Sequence, residues 1–198
     1  MNVYFLLDRS GSMISLWAEA IGSINGYIKK LDEKDNIHLA VFDSVSYDVI
    51  REMPVEFWQD IHKKEVEPRG GTPLYDSCGK IMTTAEEAAA EKTILVVMTD
   101  GYENSSHEYN SESIKSKVKS WEDRGWEVVF LGANFDNVET VSGGVGVSLN
   151  KTLNFQAGNF ERGFESLTAS TQAYSMTGAS INYSDAQKAA INGLIPTP

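Results

Sequence analysis

Two short stretches, Val3-Tyr4-Phe5-Leu6-Leu7 and Thr93-Ile94-Leu95-Val96-Val97-Met98-Thr99, are apolar almost without interruption, and each runs into an aspartate, Asp8 and Asp100. Runs this short, rich in β-branched and aromatic residues and lacking polar alternation, describe strands covered on both faces. That is the condition of a parallel sheet packed between helices. Segments with helical spacing separate the strands, so the pattern predicts an α/β fold: a doubly wound, mostly parallel central sheet with helices on both faces. After each aspartate the chain turns abruptly small and polar. These loops therefore sit at the carboxyl ends of strands, where open α/β sheets place their ligand sites.

The elements follow in order. Trp17, Ala20, Ile21, Ile24, Tyr27, Ile28 and Leu31 predict an amphipathic helix over residues 13–31. A strand over 37–42 is followed by an Asp43-Ser44 turn and a strand over 45–50, whose polar Ser46 and Asp48 mark it as an antiparallel edge. Residues 53–71 form a connection with a turn or two of helix. Thr72-Pro73 then opens a helix to about residue 90, proline being at home in a first turn. Ile114, Val118 and Trp121 mark a helix closed by Arg124-Gly125. A strand over 126–131, a short helix over 137–143, a strand over 152–155 and a helix carrying Phe160, Phe164, Leu167, Thr171 and Tyr174 complete a domain spanning residues 1–175. In the extension, 176–198, Ser184-Asp185-Ala186-Gln187 is a capping box. The helix it starts ends near Gly193, before Pro196 and Pro198. With only Ala190, Ile191, Leu194 and Ile195 as apolar residues, that helix either packs on the domain or frays.

Three pieces of the chain bring the same chemistry to one edge. Asp8-Arg9-Ser10-Gly11-Ser12 places a carboxylate and two hydroxyls two residues apart, with a glycine to let the backbone turn. Arg69-Gly70-Gly71-Thr72-Pro73 contributes a threonine, and Thr99-Asp100-Gly101 a second carboxylate. Taken singly, Asp8, Ser10 and Ser12 are equally good helix caps and turn residues. Taken together, hard oxygen donors at strand ends suit a hard divalent cation better than zinc or copper. Two aspartates in one crevice also repel, raising one pKa unless a cation lies between them.

The Asp-x-Ser-x-Ser loop, the threonine after Gly-Gly and the strand-terminal aspartate resemble the metal-ion-dependent adhesion site of von Willebrand factor type A domains, of the intracellular bacterial or phage type. All five positions, Asp8, Ser10, Ser12, Thr72 and Asp100, are filled in the family's order. The resemblance implies a Rossmann-like fold and a division of labour. Ser10, Ser12 and either Thr72 or Asp100 contact the ion, while Asp8 and the other member act through water or hydrogen bonds. It implies Mg²⁺ or Mn²⁺ in preference to Ca²⁺, because few direct carboxylates suit a small octahedral ion. It also implies a protein partner that supplies an Asp or Glu to the open coordination position. Arg9, Tyr75, Tyr102, Glu103 and Asn104 are the candidate rim around that position.

Charge and composition narrow the class further. The chain has 28 acidic and 17 basic residues among 198, a net charge of −11. That argues against nucleic acid, whose phosphates need Lys and Arg, and against adsorption to anionic membrane. Cys78 is the only cysteine, on an apolar helical stripe, so no internal disulfide forms and a buried thiol is expected. No apolar stretch is long enough to cross a bilayer, and the first residues lack a basic leader, which sets the expectation of a cytoplasmic protein. His38, His62 and His107 show no metal spacing, and Trp17, Trp58, Trp121 and Trp126 are core or near-core residues.

The function expected is therefore a non-catalytic, divalent-metal-dependent protein-binding module, an adaptor. One alternative is a Mg²⁺-dependent phosphatase or phosphotransferase with Asp8 as nucleophile. That chemistry needs an acid two residues further on, where this chain has Ser10, and it leaves Ser12 and the Gly-Gly-Thr-Pro loop unexplained. A second alternative is a structural or assembly component of a phage or bacterial complex.

Overall fold

In a computed structural model, which describes residues 1–193, the strands form one six-stranded sheet of order β3-β2-β1-β4-β5-β6. They are β1 (Asn2–Asp8), β2 (Asn36–Phe42), β3 (Tyr47–Pro54), β4 (Thr93–Thr99), β5 (Glu127–Ala133) and β6 (Thr152–Phe155). Every pairing is parallel except β2 with β3, so β3 is the antiparallel edge. Order reverses between β1 and β4. Consecutive crossovers leave that point in opposite directions, and Asp8 and Asp100 stand at its carboxyl edge.

Apolar runs without alternation now have their explanation. Val3, Phe5 and Leu7 of β1 enter one core, while Tyr4 and Leu6 enter another on the opposite face. β4 divides in the same way, Ile94, Val96 and Met98 against Leu95 and Val97. The first core is covered by α1 (Trp17–Ile28) and α5 (Phe160–Thr177). The second is covered by α2 (Leu74–Ala88), α3 (Ser111–Asp123) and α4 (Val138–Val145). Both sheet faces are therefore closed, as a parallel sheet requires.

Several boundaries differ from the sequence reading, each for a local reason. The first helix does not begin at residue 13. Gly11–Ser15 is a 3-10 turn, tightened by i→i+3 bonds from Met13 N to Ser10 O and Leu16 N to Met13 O, and α1 starts at Trp17. The edge strand starts at Tyr47, not Val45, because Asp43 Oδ1 accepts from the Val45 and Ser46 amides and extends the turn. Residues 53–71 hold a single 3-10 turn, Val55–Phe57. The remainder is tied to α1 by Trp17 Nε1 donating to Val66 O and by an Asn25–Ile61 amide pair.

After Thr177, Ile181 and Tyr183 are buried in the first core. There Tyr183 Oη meets Ser170 Oγ at 2.8 Å. Ser184 caps α6 (Asp185–Ile191) through a reciprocal bond pair with Gln187. Ile191 is buried, so this helix packs on the domain, burying a side chain worth about 1.5–3 kcal/mol. Leu194, Ile195, Pro196 and Pro198 lie outside the described residues. Cys78 is fully buried, and burial pushes its thiol far above the usual range. No described helix is long and apolar enough to cross a membrane.

Candidate functional site

The site is assembled from three loops at the carboxyl edge of β1, β2 and β4. Asp8 ends β1 with no exposed surface. Its Oδ1 accepts from the Ser10 amide at 2.6 Å and its Oδ2 from Thr99 Oγ1 at 2.6 Å. Tight turning over Gly11–Ser15 brings Ser12 back beside Ser10, with the two hydroxyl oxygens 3.1 Å apart. Ser12 Oγ in turn donates to Asp100 Oδ1 at 2.6 Å. Thr72 is buried. Its side-chain oxygen faces Gly101, where an added Cβ would lie 2.7 Å from Thr72 Oγ1 and 3.4 Å from Asp8 Oδ2. The two oxygens thus flank one point on the Gly101 backbone, and only glycine leaves that point free.

All five side chains proposed from the sequence come together. Depth grades across them: Asp8, Ser10 and Thr72 are buried, Asp100 is half-buried and Ser12 is exposed. The cleft is closed around Asp8, Ser10 and Thr72 and opens to solvent at Asp100 and Ser12.

Electrostatics follow from the depth. Burial pushes the Asp8 carboxyl up to about 6, against hydrogen bonds from Thr99 and Ser10 that pull it down. The Asp100 charge adds only the last and smallest contribution, so desolvation and not mutual repulsion is the principal cause. Asp100 is raised as well, mainly by burial, with the Ser12 hydrogen bond opposing. A divalent cation would reverse both shifts, since it supplies the charge that water no longer provides.

The donors are oxygen atoms throughout, two carboxylates and three hydroxyls. Among the described residues no three His, Cys, Asp or Glu side chains form a metal group, so any cation here depends on the hydroxyls. That set fits Mg²⁺ or Mn²⁺ and fits soft metals poorly.

The rim differs from expectation at two positions. Arg9 does not face outward. It is 5% exposed and turned into the β2–β3 hairpin, with its Nε 2.6 Å from Asp43 Oδ2 and its Nη2 2.5 Å from Asp48 Oδ2. Tyr75 is partly buried in the second core, with its hydroxyl against Gly144 of α4. Its place is set by helical periodicity, not by the loop. Tyr102 does stand at the edge, 52% exposed, edge-on to Phe135 at 5.4 Å.

Glu103 and Asn104 organise loops. Asn104 Oδ1 accepts from the Thr72 amide at 2.8 Å, and its own amide donates to Thr72 O at 3.1 Å, which clasps Thr72 from both sides. Glu103 accepts from the amides of Tyr75, Ser105 and Ser106. The supporting roles of three residues carry no sequence signal. Thr99 holds Asp8. Asp76 takes the amides of His107, Glu108 and Tyr109. Asp43 holds two arginines.

A family model described as von Willebrand factor type A domain matches residues 2–170. No curated protein matches the chain. Among solved structures it is similar to the vWF domain of the type V pili tip protein Mfa5 from Porphyromonas gingivalis, at 11% identity and TM-score 0.68, over 93% of this chain and 97% of that one. It is also similar to proximal thread matrix protein 1 from the mussel byssus with a zinc-occupied MIDAS motif, at 11% identity and TM-score 0.67. That match covers 84% of this chain but 44% of the mussel chain, so the chain spans less than half of that protein's length. A third similarity is to the manganese-loaded TRAP protein of Plasmodium vivax, at 15% identity and TM-score 0.57, over 81% of this chain and 70% of that one. At these identities the likeness is one of fold.

Proposed function

The chain belongs to the von Willebrand factor type A domain family, and from that premise we propose that it is a non-catalytic protein-binding module working through a bound divalent cation. The observation that carries the reading is the convergence of Asp8, Ser10, Ser12, Thr72 and Asp100 on one cleft, with Thr72 Oγ1 and Asp8 Oδ2 flanking Gly101. Ser12 presents its hydroxyl at the lip with Ser10 beside it below, Thr72 and Asp100 close the sides, and Asp8 holds the floor. The mussel protein carries zinc in its MIDAS motif and the Plasmodium protein is manganese-loaded, which supports a divalent ion here. Mg²⁺ or Mn²⁺ is the ion we assign from the donor set.

Bound there, the cation supplies positive charge that few anionic ligands neutralise and that a partner's Asp or Glu can approach from solvent. Ile14, two residues beyond Ser12, is 67% exposed, and Tyr102, two beyond Asp100, is 52% exposed. Both give the cleft an apolar border suited to the edge of a protein interface. Asp8 is poorly placed as a phosphoryl acceptor. It has no exposed surface, and both carboxylate oxygens already accept hydrogen bonds.

Capture from native lysate tests the proposal, with immobilised wild type against Ser12→Ala and Asp8→Asn, each in Mg²⁺ and in EDTA. The proposal expects a partner retained by wild type in Mg²⁺ alone. Equal recovery in every arm would refute it.

A further inference from the structure

Arg9 occupies the position between Asp8 and Ser10, inside the loop that supplies most of the proposed ligands, yet its side chain leaves the cleft. Its main chain is held on both sides. The Arg9 amide donates to Phe42 O at 2.9 Å, and its carbonyl accepts from Arg69 N at 2.8 Å. The guanidinium is buried against the turn between β2 and β3, where it meets Asp43, Asp48 and Ser46. Asp43 is gripped a second time, by Arg69 Nε at 2.9 Å. Burial pushes the Asp43 carboxyl up, but the Ser46 and Val45 amides together with Arg69 and Arg9 outweigh it and hold it below the usual range.

The same turn reaches the threonine loop. Ser44 N donates to Gly71 O at 3.0 Å, and Ser44 Oγ accepts from Gly71 N at 2.8 Å. Gly70, at φ +69°, brings its backbone so close that an added Cβ would lie 2.6 Å from Ser44 Oγ. Gly70 O also accepts from Gly11 N at 3.1 Å. One hairpin turn therefore carries both the Asp8–Ser12 loop, through Arg9, and the Thr72 loop, through Ser44.

We propose that Arg9 is a positioning residue for the cation: its fork on Asp43 and Asp48 fixes the Asp8–Ser12 loop at the spacing from Thr72 that coordination requires. The inference rests on the metal reading above. A planar guanidinium holds its donors in a rigid fork that fixes the two carboxylates relative to each other, whereas a lysine ammonium is a compact charge with freely rotating donors on a flexible stem. Arg9 and Asp43 are the buried pair of this set, so removing Arg9 leaves the Asp43 carboxylate buried with Arg69 as its one remaining cation.

Mn²⁺ titration followed by the electron paramagnetic resonance of the free ion tests this on wild type, Arg9→Met, Arg9→Lys and Asp48→Asn. Hydrogen exchange of the Ser10 and Gly11 amides, measured in EDTA, accompanies each titration. Arg9→Met is expected to weaken Mn²⁺ binding by about ten- to hundredfold, the range found when residues behind metal ligands are removed. Arg9→Lys should fall between it and wild type. Asp48 lies on the edge strand with its side chain 46% exposed, so Asp48→Asn folds even where Arg9→Met does not, and it should show a smaller loss. Exchange at Ser10 and Gly11 should quicken in the same order without metal. A purely structural Arg9 would lower thermal stability and leave the Mn²⁺ affinity of the folded protein unchanged. Wild-type Mn²⁺ affinity in all the folded variants, whatever their exchange, overturns the inference alone. Absence of Mn²⁺ binding by the wild type overturns the metal reading and this inference with it.

Discussion

Replacing Asp8 by Asn should stabilise the protein when no metal is present and destabilise it, relative to wild type, when metal is supplied. The carboxyl is fully buried, and its pKa is raised from 3.8 to about 6. A folded-state pKa above the unfolded one means that the folded chain holds the proton more tightly. Stability is thus unaffected by this group below about pH 4, falls as pH rises towards 6, and stays reduced above that. At 1.36 kcal/mol per unit, the burden at pH 7 is about 3 kcal/mol. Asn keeps the acceptor for the Ser10 amide and carries no charge. In EDTA at pH 7, urea unfolding should therefore find Asp8→Asn more stable than wild type by about 2–3 kcal/mol, shrinking to nothing near pH 4. A cation at a thousandfold excess over its Kd should return about 4.1 kcal/mol to wild type and nothing to the variant, which leaves the variant the less stable of the two by about 1–2 kcal/mol. Refutation would be a variant less stable than wild type in EDTA at pH 7, or Mg²⁺ raising both proteins equally.

Three further outcomes are expected. Gly101→Ala pushes a methyl to within 2.7 Å of Thr72 Oγ1, and should reduce Mn²⁺ affinity while lowering stability by about 1–3 kcal/mol; unchanged affinity would contradict the placement of Thr72. Burial lowers the His38 pKa against the opposing charge of Glu52. The folded state thus resists a proton that the unfolded chain accepts near pH 6.5, so stability contributed by neutral His38 is lost as pH falls below that value. Wild type should lose more stability between pH 7.5 and 5.5 than His38→Gln, and parallel profiles would exclude the effect. Asp76→Ala removes the acceptor of three loop amides and should cost about 2–3 kcal/mol in urea unfolding, with faster exchange at His107, Glu108 and Tyr109.

Much of this fold is legible in the sequence. Unalternating strands disclosed the closed sheet, because a strand between two helical layers has no solvent face to keep polar. The cleft residues are legible because each sits in a short local motif, Asp8, Ser10, Ser12 and Asp100 at or just after the ends of β1 and β4 and Thr72 at the opening of α2. What the sequence hid was the support behind them. Asn104 reaches Thr72 across 32 residues, and Asp76 reaches the loop after β4 across 31 to 33. Such bonds leave no periodic trace. Arg9 is expected at the rim but is buried, because position between two ligands says nothing of side-chain direction, which the β2–β3 hairpin decides. That turn also claimed Val45 and Ser46 from the strand, since the Asp43 carboxylate competes for their amides.

The most direct measurement is an anomalous difference map from crystals grown in Mn²⁺, recorded at the manganese edge. The expected result is one peak per chain within bonding distance of the Ser10 and Ser12 hydroxyls, between Thr72 and Asp100. Manganese scattered over the acidic surface with none in that cleft would contradict it.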